Sequence, residues 1–456
     1  MTTIAIILAA GKGTRMVSDL PKVLFPLRGK TLIARAVSAA TQAFGQPPIV
    51  VVGLMSDDVR AACGTGVHFA TQVQQLGTGH AVKVAAENAK ALSAEAVAVM
   101  YGDMPLLPSE MMTALAVERA RSGAAIAMLT LVADNPRGFG RIVRNDAGAV
   151  EAIVEEVAAT AEQLRIRELN VGVYCFDAAW LWPALERIQP NPRKGEYFLT
   201  DLVAIAVADG RQVVAIPSND AEAFIGINTR ADLADADAAL RRRINRGWML
   251  KGVSMVDPGS VYIDDDADLA PDVTVLPNTH VLGATRIGTG SVIGPNCVLR
   301  NARIGRGCVV QQSSIEDSSL DDGADAGPFA RLRGGARIGP GSHIGNFAEI
   351  KNSTLGPGVK MGHFSYLGDA TVGAEANISA GVVTCNFDGQ QKQPTTIGDG
   401  AFVGCDTMLV APVTIGAHAL TGAGAVVTHD VAPGERVVGV PARPLAPKSP
   451  GTPNKE

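Results

Sequence analysis

Two stretches hold residue types that could do chemistry. Near the start, "ILAAGKGTRMVSDLPKVLFPLRGKTL" (residues 7–32) ends an apolar run, Ile4 to Ala10, in Gly11 and Gly13, and Arg15 and Lys22 follow. Glycines at a strand end let backbone N–H groups approach phosphate, and the two cations supply charge for a nucleoside triphosphate. The stretch is neither a Walker A loop nor GxGxxG, and a plain glycine turn is the competing reading. In "YGDMPLL" (residues 101–107), Asp103 follows an apolar run and precedes a proline. Beside a phosphate loop it is a candidate Mg2+ ligand; alone it is a helix cap or turn former. "QQLGTGHA" (residues 74–81) is a further glycine turn leading into a helix. Far downstream, "NFAEIKNSTLGPGVKMGHFSYLGDA" (residues 346–370) concentrates polar side chains, with His363 near Tyr366. Arg331, Arg333 and Lys351 are cations suited to a sugar phosphate. Acetyl transfer to an amine needs a base for its proton, and histidine fits neutral pH. A structural histidine is the alternative.

The elements that must position these residues come in two textures. Residues 1–228 alternate strand-like and helix-like stretches, with strands expected at Ile4–Ala10, Ile49–Gly53, Ala96–Tyr101, Ala124–Val132 and Val213–Ile216. This is α/β logic with a mainly parallel sheet, which places ligands at the carboxyl ends of its strands. A connecting helix is expected over about Arg230 to Lys251, within a linker at 229–251. Leu233, Leu240, Ile244 and Trp248 share one face, and its charge runs from acidic to basic.

From residue 252 to the end at 456, aliphatics recur every six residues at Ile263, Leu269, Val275, Val281, Ile287, Ile293 and Leu299. The phase slips by one and resumes at Ile304 and Val310. Later runs are Ile338–Ile344–Ile350, Leu355–Met361–Leu367 and Ile397–Val403–Leu409–Ile415. Such hexads predict a parallel β-helix in which each aliphatic fills a narrow prism and small residues turn the corners. This explains a chain with 50 glycines and only 4% aromatics. Two interruptions are expected, "SSIEDSSLDDGADAGPFARLRGGA" and "TCNFDGQQKQPT" (residues 384–395), either binding loops or spacers. The tail from Ala446 reads as disordered.

Composition sets outer limits. The 456 residues suffice for two or three domains, and a net charge of −5 argues against nucleic-acid binding. Six scattered cysteines without a CxxC pair suit reduced thiols in a cytoplasm. "MTTIAIILAA" reads as a buried first strand rather than a signal peptide, and no apolar run approaches the roughly 18 residues of a membrane span.

Taken together, "LAAGKGTRM…LPK", "QLGTGHA", "YGDMPLL", "GFGRIV", "IVEE", "ELNVGVY", "GEYFLTDLV" and "GINTR" resemble the sugar-1-phosphate nucleotidylyltransferases. With the hexads behind them, the chain closely resembles the bifunctional bacterial N-acetylglucosamine-1-phosphate uridylyltransferases/glucosamine-1-phosphate acetyltransferases, over about residues 4–443. The resemblance implies UDP-N-acetylglucosamine synthesis for the cell envelope from glucosamine 1-phosphate, acetyl-CoA and UTP. It implies that Leu8, Ala10, Gly11, Arg15 and Lys22 hold UTP, that Gln72, Gly77 and Thr78 read uracil, and that Asp103 and Asn228 hold Mg2+. Gly140, Glu155 and Asn170 would bind N-acetylglucosamine 1-phosphate. In the second half, His363 would be the base, with Glu349 a candidate to orient it. Arg333, Lys351, Tyr366 and Asn377 would bind glucosamine 1-phosphate; Ala380, Asn386, Phe387, Cys405 and Ala423 would line acetyl-CoA. The first domain would be a Rossmann-like mixed sheet, the β-helix left-handed and the assembly a homotrimer, with the acetyl site at a subunit boundary. Three positions depart from the family. Phe387 stands for a common Tyr and Cys405 for Ser. The basic residue before the terminal Val-Pro is absent at "VVGVPARP", leaving Arg436 or Arg443 to substitute.

Overall fold

The computed structural model describes residues 2–445 apart from Lys12, Leu54, Met55, Arg137 and Arg193, so the tail expected to be disordered lies outside the described residues. The chain divides into two compact units between Leu240 and Arg241, within the helix Arg230–Leu250.

The first unit is built on a nine-stranded sheet. Thr3–Leu8 pairs in parallel with Ile49–Val52 on one side and Ala96–Tyr101 on the other, and Ile49–Val52 pairs in parallel with His68–Thr71. Side chains alternate across the sheet as the pleat requires: Ile4 and Ile6 enter one apolar cluster, Ala5 and Ile7 the other. All four of these strands run the same way, so their carboxyl ends deliver Ala9–Gly11, Gln72 and Asp103 to one edge. Each of the five expected strands is present, Ala96–Tyr101 with the expected ends and the other four with ends shifted by one or two residues, as in Thr3–Leu8 for Ile4–Ala10. The sequence reading passed over Glu168–Asp177, a strand antiparallel to both Ala96–Tyr101 and Ile126–Val132. Its residues are buried on both faces, so it shows no alternation to read. It is the one reversed strand along the main path of an otherwise parallel sheet, which makes the sheet mixed.

The second unit is a parallel β-helix of three sheets with 12, 10 and 9 strands of mostly two or three residues. From Ser254–Met255 to Met408–Val410 each strand pairs with the third one after it, as in Ile263↔Val281↔Leu299. Three hexads thus make one coil. The hexad aliphatics are fully buried from Ile263 to Ile415 and form one continuous core. The first expected interruption is regular coil instead. Ile315, Leu320, Ala326 and Leu332 occupy the inward positions at 0–2% exposure. Two five-residue steps and one small Ala326 masked the period. The second interruption does project: after Cys385 the chain leaves the coil, Phe387 bridges Lys392, and Thr395–Ile397 rejoins the sheet beside Ala370–Val372.

The helix Arg230–Leu250 begins at a capping box, Thr229 with Asp232, whose carboxylate accepts from the Asn228 and Thr229 N–H groups at 3.0 and 2.8 Å. Ala236, Ala239 and Leu240 are buried within the first-unit segment, while Ile244 and Trp248 pack on the β-helix core. Asn245, a polar residue the periodicity ignored, is 1% exposed and donates to the carbonyls of Pro258 and Val261 at 2.8 and 2.9 Å.

Candidate active sites

In the first unit the loop after Thr3–Leu8 folds back on Lys22. Gly13 sits at φ +62°, and a Cβ there would come within 2.6 Å of Lys22 Cβ, so glycine is required. Lys22 Nζ donates to Asp103 and, at 3.0 Å, to Asn228 Oδ1; Arg15 reaches the same Asn228 oxygen at 2.9 Å. The Ile227 N–H donates to the Asp103 carbonyl at 3.0 Å, which pins the capping-box turn to the end of Ala96–Tyr101. Four residues singled out from sequence therefore converge on one point. The oxygens of Asp103 and Asn228 both face a single cation, the Lys22 ammonium. Hard oxygen donors converging in this way suit a divalent cation that keeps its remaining positions for substrate.

Gln72 is buried, with Nε2 3.1 Å from the Gly77 carbonyl and 3.0 Å from His80 Nδ1. Thr78 Oγ1 accepts from the Leu199 N–H at 3.0 Å. Gln75, which sequence reasoning missed, donates to the Ala10 carbonyl and joins this loop to the phosphate loop. Gly140 pairs directly with Asn170, whose Oδ1 accepts from Tyr174 Oη at 2.9 Å and the Gly172 N–H at 3.1 Å. Burial raises the Glu155 carboxyl pKa; Lys194 pulls it back and Asp201, itself raised by burial, adds to it. Tyr101 is a second missed residue. Burial raises its hydroxyl pKa, Asp103 and Glu155 push the same way, and its ring lies against Gly172, two residues from Asn170. Its place at the head of "YGDMPLL" was the available signal.

In the second unit the register builds the site. Arg331, Glu349 and Tyr366 form one column across successive coils, and Arg333, Lys351 and Gly368 the next. Glu349 Oε1 accepts from Arg333 Nε at 2.8 Å. The partner of His363 is instead Asn346, its register neighbour, with Oδ1 3.1 Å from Nδ1. An amide oxygen only accepts, so Nδ1 carries the proton and Nε2 the lone pair. Glu349, expected as a candidate to orient the histidine, is engaged by Arg333 and stands on the next strand, beyond the turn that follows Asn346.

Gly368 leaves room that no other residue would: a Cβ there would collide with Tyr366 Oη and approach Asn386 Nδ2 to 2.6 Å. Asn386 donates to Asp369 at 2.5 Å, and Asn352 donates to the other Asp369 oxygen at 2.6 Å. The projecting loop brings Lys392 4.0 Å from Asp369 and against Lys351. Lys392 lowers the Lys351 pKa, first because a neutral Lys351 amine can accept from the Lys392 ammonium and then by repulsion between the two charges. Lys392 was missed, although it is the one cation in "TCNFDGQQKQPT". Two cations held together with so few acidic partners make a seat for a dianion such as a sugar phosphate. Asn377 donates to Ser379 Oγ at 3.1 Å. Ala380, Cys405 and Ala423 fall at matching turns, linked by Asp406 N–H to Ala380 C=O and Gly424 N–H to Cys405 C=O at 2.7 and 2.8 Å. They make a column of small residues along the coils. Cys405 is exposed, and Phe387 is 60% exposed at the root of the loop. Arg436 and Arg443 lie on the paired strands Arg436–Val438 and Arg443–Pro444.

Comparison with known proteins agrees with both halves. Residues 5–191 match the family of MobA-like NTP transferase domains, and residues 394–429 match the bacterial transferase hexapeptide (six repeats). The chain is 46% identical to the bifunctional protein GlmU of Heliobacterium modesticaldum, covering 95% of this chain and 94% of the relative. It is 44% identical to the GlmU proteins of Exiguobacterium sibiricum (94% and 96% covered) and Kineococcus radiotolerans (99% and 93%). With the mixed nucleotidyltransferase sheet and the left-handed hexapeptide β-helix both in place, the chain belongs to the GlmU family, bifunctional uridylyltransferase–acetyltransferases that make UDP-N-acetylglucosamine.

Proposed function

We propose that residues 1–228 transfer the uridylyl group with Mg2+ held by Asp103 and Asn228. Residues 252–456 would acetylate glucosamine 1-phosphate from acetyl-CoA with His363 as base, and 229–251 would connect them. The observation that carries the first half is the convergence of the Asp103 and Asn228 oxygens on one cation. Bound there, magnesium would neutralise charge developing on the phosphates. Arg15 and Lys22 supply the remaining positive charge, and Gly11 and Gly13 let backbone approach the triphosphate. Gln72, Gly77 and Thr78 hold uracil; Gly140, Glu155 and Asn170 hold the sugar. The phosphate oxygen of N-acetylglucosamine 1-phosphate attacks the α-phosphorus of UTP, and pyrophosphate leaves. That oxygen is already a nucleophile, so alignment and charge do the work.

In the second half, Arg333, Lys351 and Lys392 take the sugar phosphate, and Tyr366 and Asn377 orient the ring. His363 Nε2 takes the amine proton, the nitrogen attacks the thioester carbonyl, the C–S bond breaks and the coenzyme thiol leaves. Ala380, Cys405 and Ala423 leave a channel for acetyl-CoA, with Asn386 and Phe387 at its side. Chelation by EDTA should stop pyrophosphate release while acetyl-CoA consumption with glucosamine 1-phosphate continues. Uridylyl transfer that ignores the chelator would remove the metal from this reading.

The chain works as a homotrimer through its β-helix, with the acetyl site at a subunit boundary. Phe329 and Phe347 stack with centroids 5.2 Å apart and, with Phe364, are 50–59% exposed next to the His363 strand. Such an aromatic patch is what a second copy covers. Light scattering should find the full chain trimeric and a chain ending at Leu240 monomeric; a trimeric short chain would refute this. Six free cysteines suit a cytoplasmic setting, and among the described residues no helix is long and apolar enough to cross a membrane.

A further inference from the structure

The loop around Gln72 carries a contact that the mechanism leaves unused. The carboxamide nitrogen of Gln72 lies 3.1 Å from the Gly77 carbonyl oxygen and 3.0 Å from His80 Nδ1. A backbone carbonyl can only accept, so the group facing it is the NH2. Its two hydrogens are then both used, one by Gly77 and one by His80. Nδ1 of His80 must be an acceptor, which fixes the ring as neutral with its proton on Nε2. The end of the carboxamide left over is the oxygen.

We propose that His80 is a positioning residue for nucleobase selection. By accepting from Gln72 it holds the carboxamide oxygen as the group offered to the base. That favours uracil, whose N3 carries a hydrogen, over cytosine, whose N3 carries a lone pair. The inference rests on the reading of Gln72 as a uracil contact.

The surroundings favour the neutral ring. Burial lowers the His80 pKa below the ordinary histidine range, the Lys83 ammonium pushes the same way, and the Gln74 carbonyl pulls against both. Lys83 is paired with Glu186 at 2.6 Å, and His80 borders a cavity of about 310 Å³ whose other titratable wall residue is Tyr197. A protonated ring offers Nδ1–H and can no longer accept. The carboxamide then turns over to place its oxygen on that hydrogen, and the base meets a donor.

The test is the ratio of kcat/KM for UTP to that for CTP in uridylyl transfer. His80→Leu should lower the ratio roughly 10-fold, the effect of one lost orienting hydrogen bond, mainly through the KM for UTP. His80→Asn keeps an acceptor near the place of Nδ1 and should keep the ratio. In the unsubstituted enzyme the ratio should fall as pH drops from roughly 8 to roughly 5.5, and in His80→Asn it should stay flat. Acetyl transfer on the same preparations reports whether the chain is folded. An unchanged ratio in His80→Leu, with a lowered one in Gln72→Leu, overturns the role of His80 and spares that of Gln72. An unchanged ratio in Gln72→Leu removes both. Equal pH slopes in the unsubstituted enzyme and His80→Asn also overturn the proposal.

Discussion

The two sites are put together in opposite ways. The proposed uridylyl site draws on segments far apart in the chain: Lys22 meets Asp103 and Asn228 across 81 and 206 residues. Its charges are partly buried and matched, with the Lys22 and Asp103 side chains only 12% and 19% exposed. The proposed acetyl site is assembled by a repeat. Asn346 meets His363 at a separation of 17 residues, one coil, and Arg333 faces Lys351 by the same register. Its cations, half-buried Arg333 and Lys351 and exposed Lys392, are crowded, so that Lys392 holds down the Lys351 pKa. A sheet edge gathers distant groups into a compact, neutralised cluster. A solenoid lays groups out in columns and leaves their charge for the ligand to satisfy. The first arrangement should break by loss of one ligand, the second also by anything that blocks a column.

The largest expected effect separates the two. Asp103→Asn should cut uridylyl transfer by roughly 10³-fold, as expected for removing a charged group that stabilises the transition state, with acetylation intact. His363→Ala should cut acetylation by roughly 10²-fold or more and spare uridylyl transfer. Loss of both activities in a folded variant of either kind would end the comparison.

Gly368→Ala tests the columns. The added methyl displaces Tyr366 Oη and Asn386 Nδ2. Acetylation should fall roughly 10- to 100-fold, the scale of a 1–3 kcal/mol clash, with little change in uridylyl transfer. Full acetyl activity would mean that the Tyr366–Asn386 arrangement is dispensable.

Lys392→Ala should be milder. Loss of a charge-assisted contact at an exposed site should raise the KM for glucosamine 1-phosphate roughly 10-fold with kcat nearly held. With its facing ammonium gone, the Lys351 pKa should move back up toward the ordinary lysine value, measurable by NMR of the lysine ammonium groups. A fall in kcat at constant KM would place Lys392 in the chemistry instead.

The smallest effect concerns Cys405, where a thiol replaces the family serine. The thiol is exposed, whereas Cys385, where the projecting loop leaves the coil, is half-buried with a pKa raised by burial. Cys405→Ser should retain acetyl transfer within a few-fold, since the two side chains are of similar size. A maleimide should inhibit acetylation of the unsubstituted enzyme, acetyl-CoA should protect, and uridylyl transfer should not respond. Undiminished inhibition in Cys405→Ser would remove that residue from the coenzyme channel; peptide mapping would then be expected to find the label on Cys385.

What the sequence determined by itself was whatever repeats locally or carries a dense motif. The hexads from Ile263 to Ile415 fixed the β-helix, because a prism with room for one aliphatic per side enforces its period residue by residue. The phosphate loop, Asp103, Lys351 and His363 were legible as chemistry out of place in such surroundings. Tertiary structure alone decided the rest. Glu168–Asp177 is buried on both faces, so nothing in its pattern marks it as a central antiparallel strand. The coils over 313–336 hid behind two five-residue steps, which a pairing ladder tolerates and a period search does not. The partner of His363 depended on which residue one coil away shares its column, and that of Glu349 on Arg333 standing in the column next to its own. Lys392 needed the loop to close over Lys351, and the His80–Gln72–Gly77 contact needed three backbone positions to bring one carboxamide within reach of two acceptors. Directional hydrogen bonds of this kind depend on tenths of an ångström, which residue type and spacing do not encode.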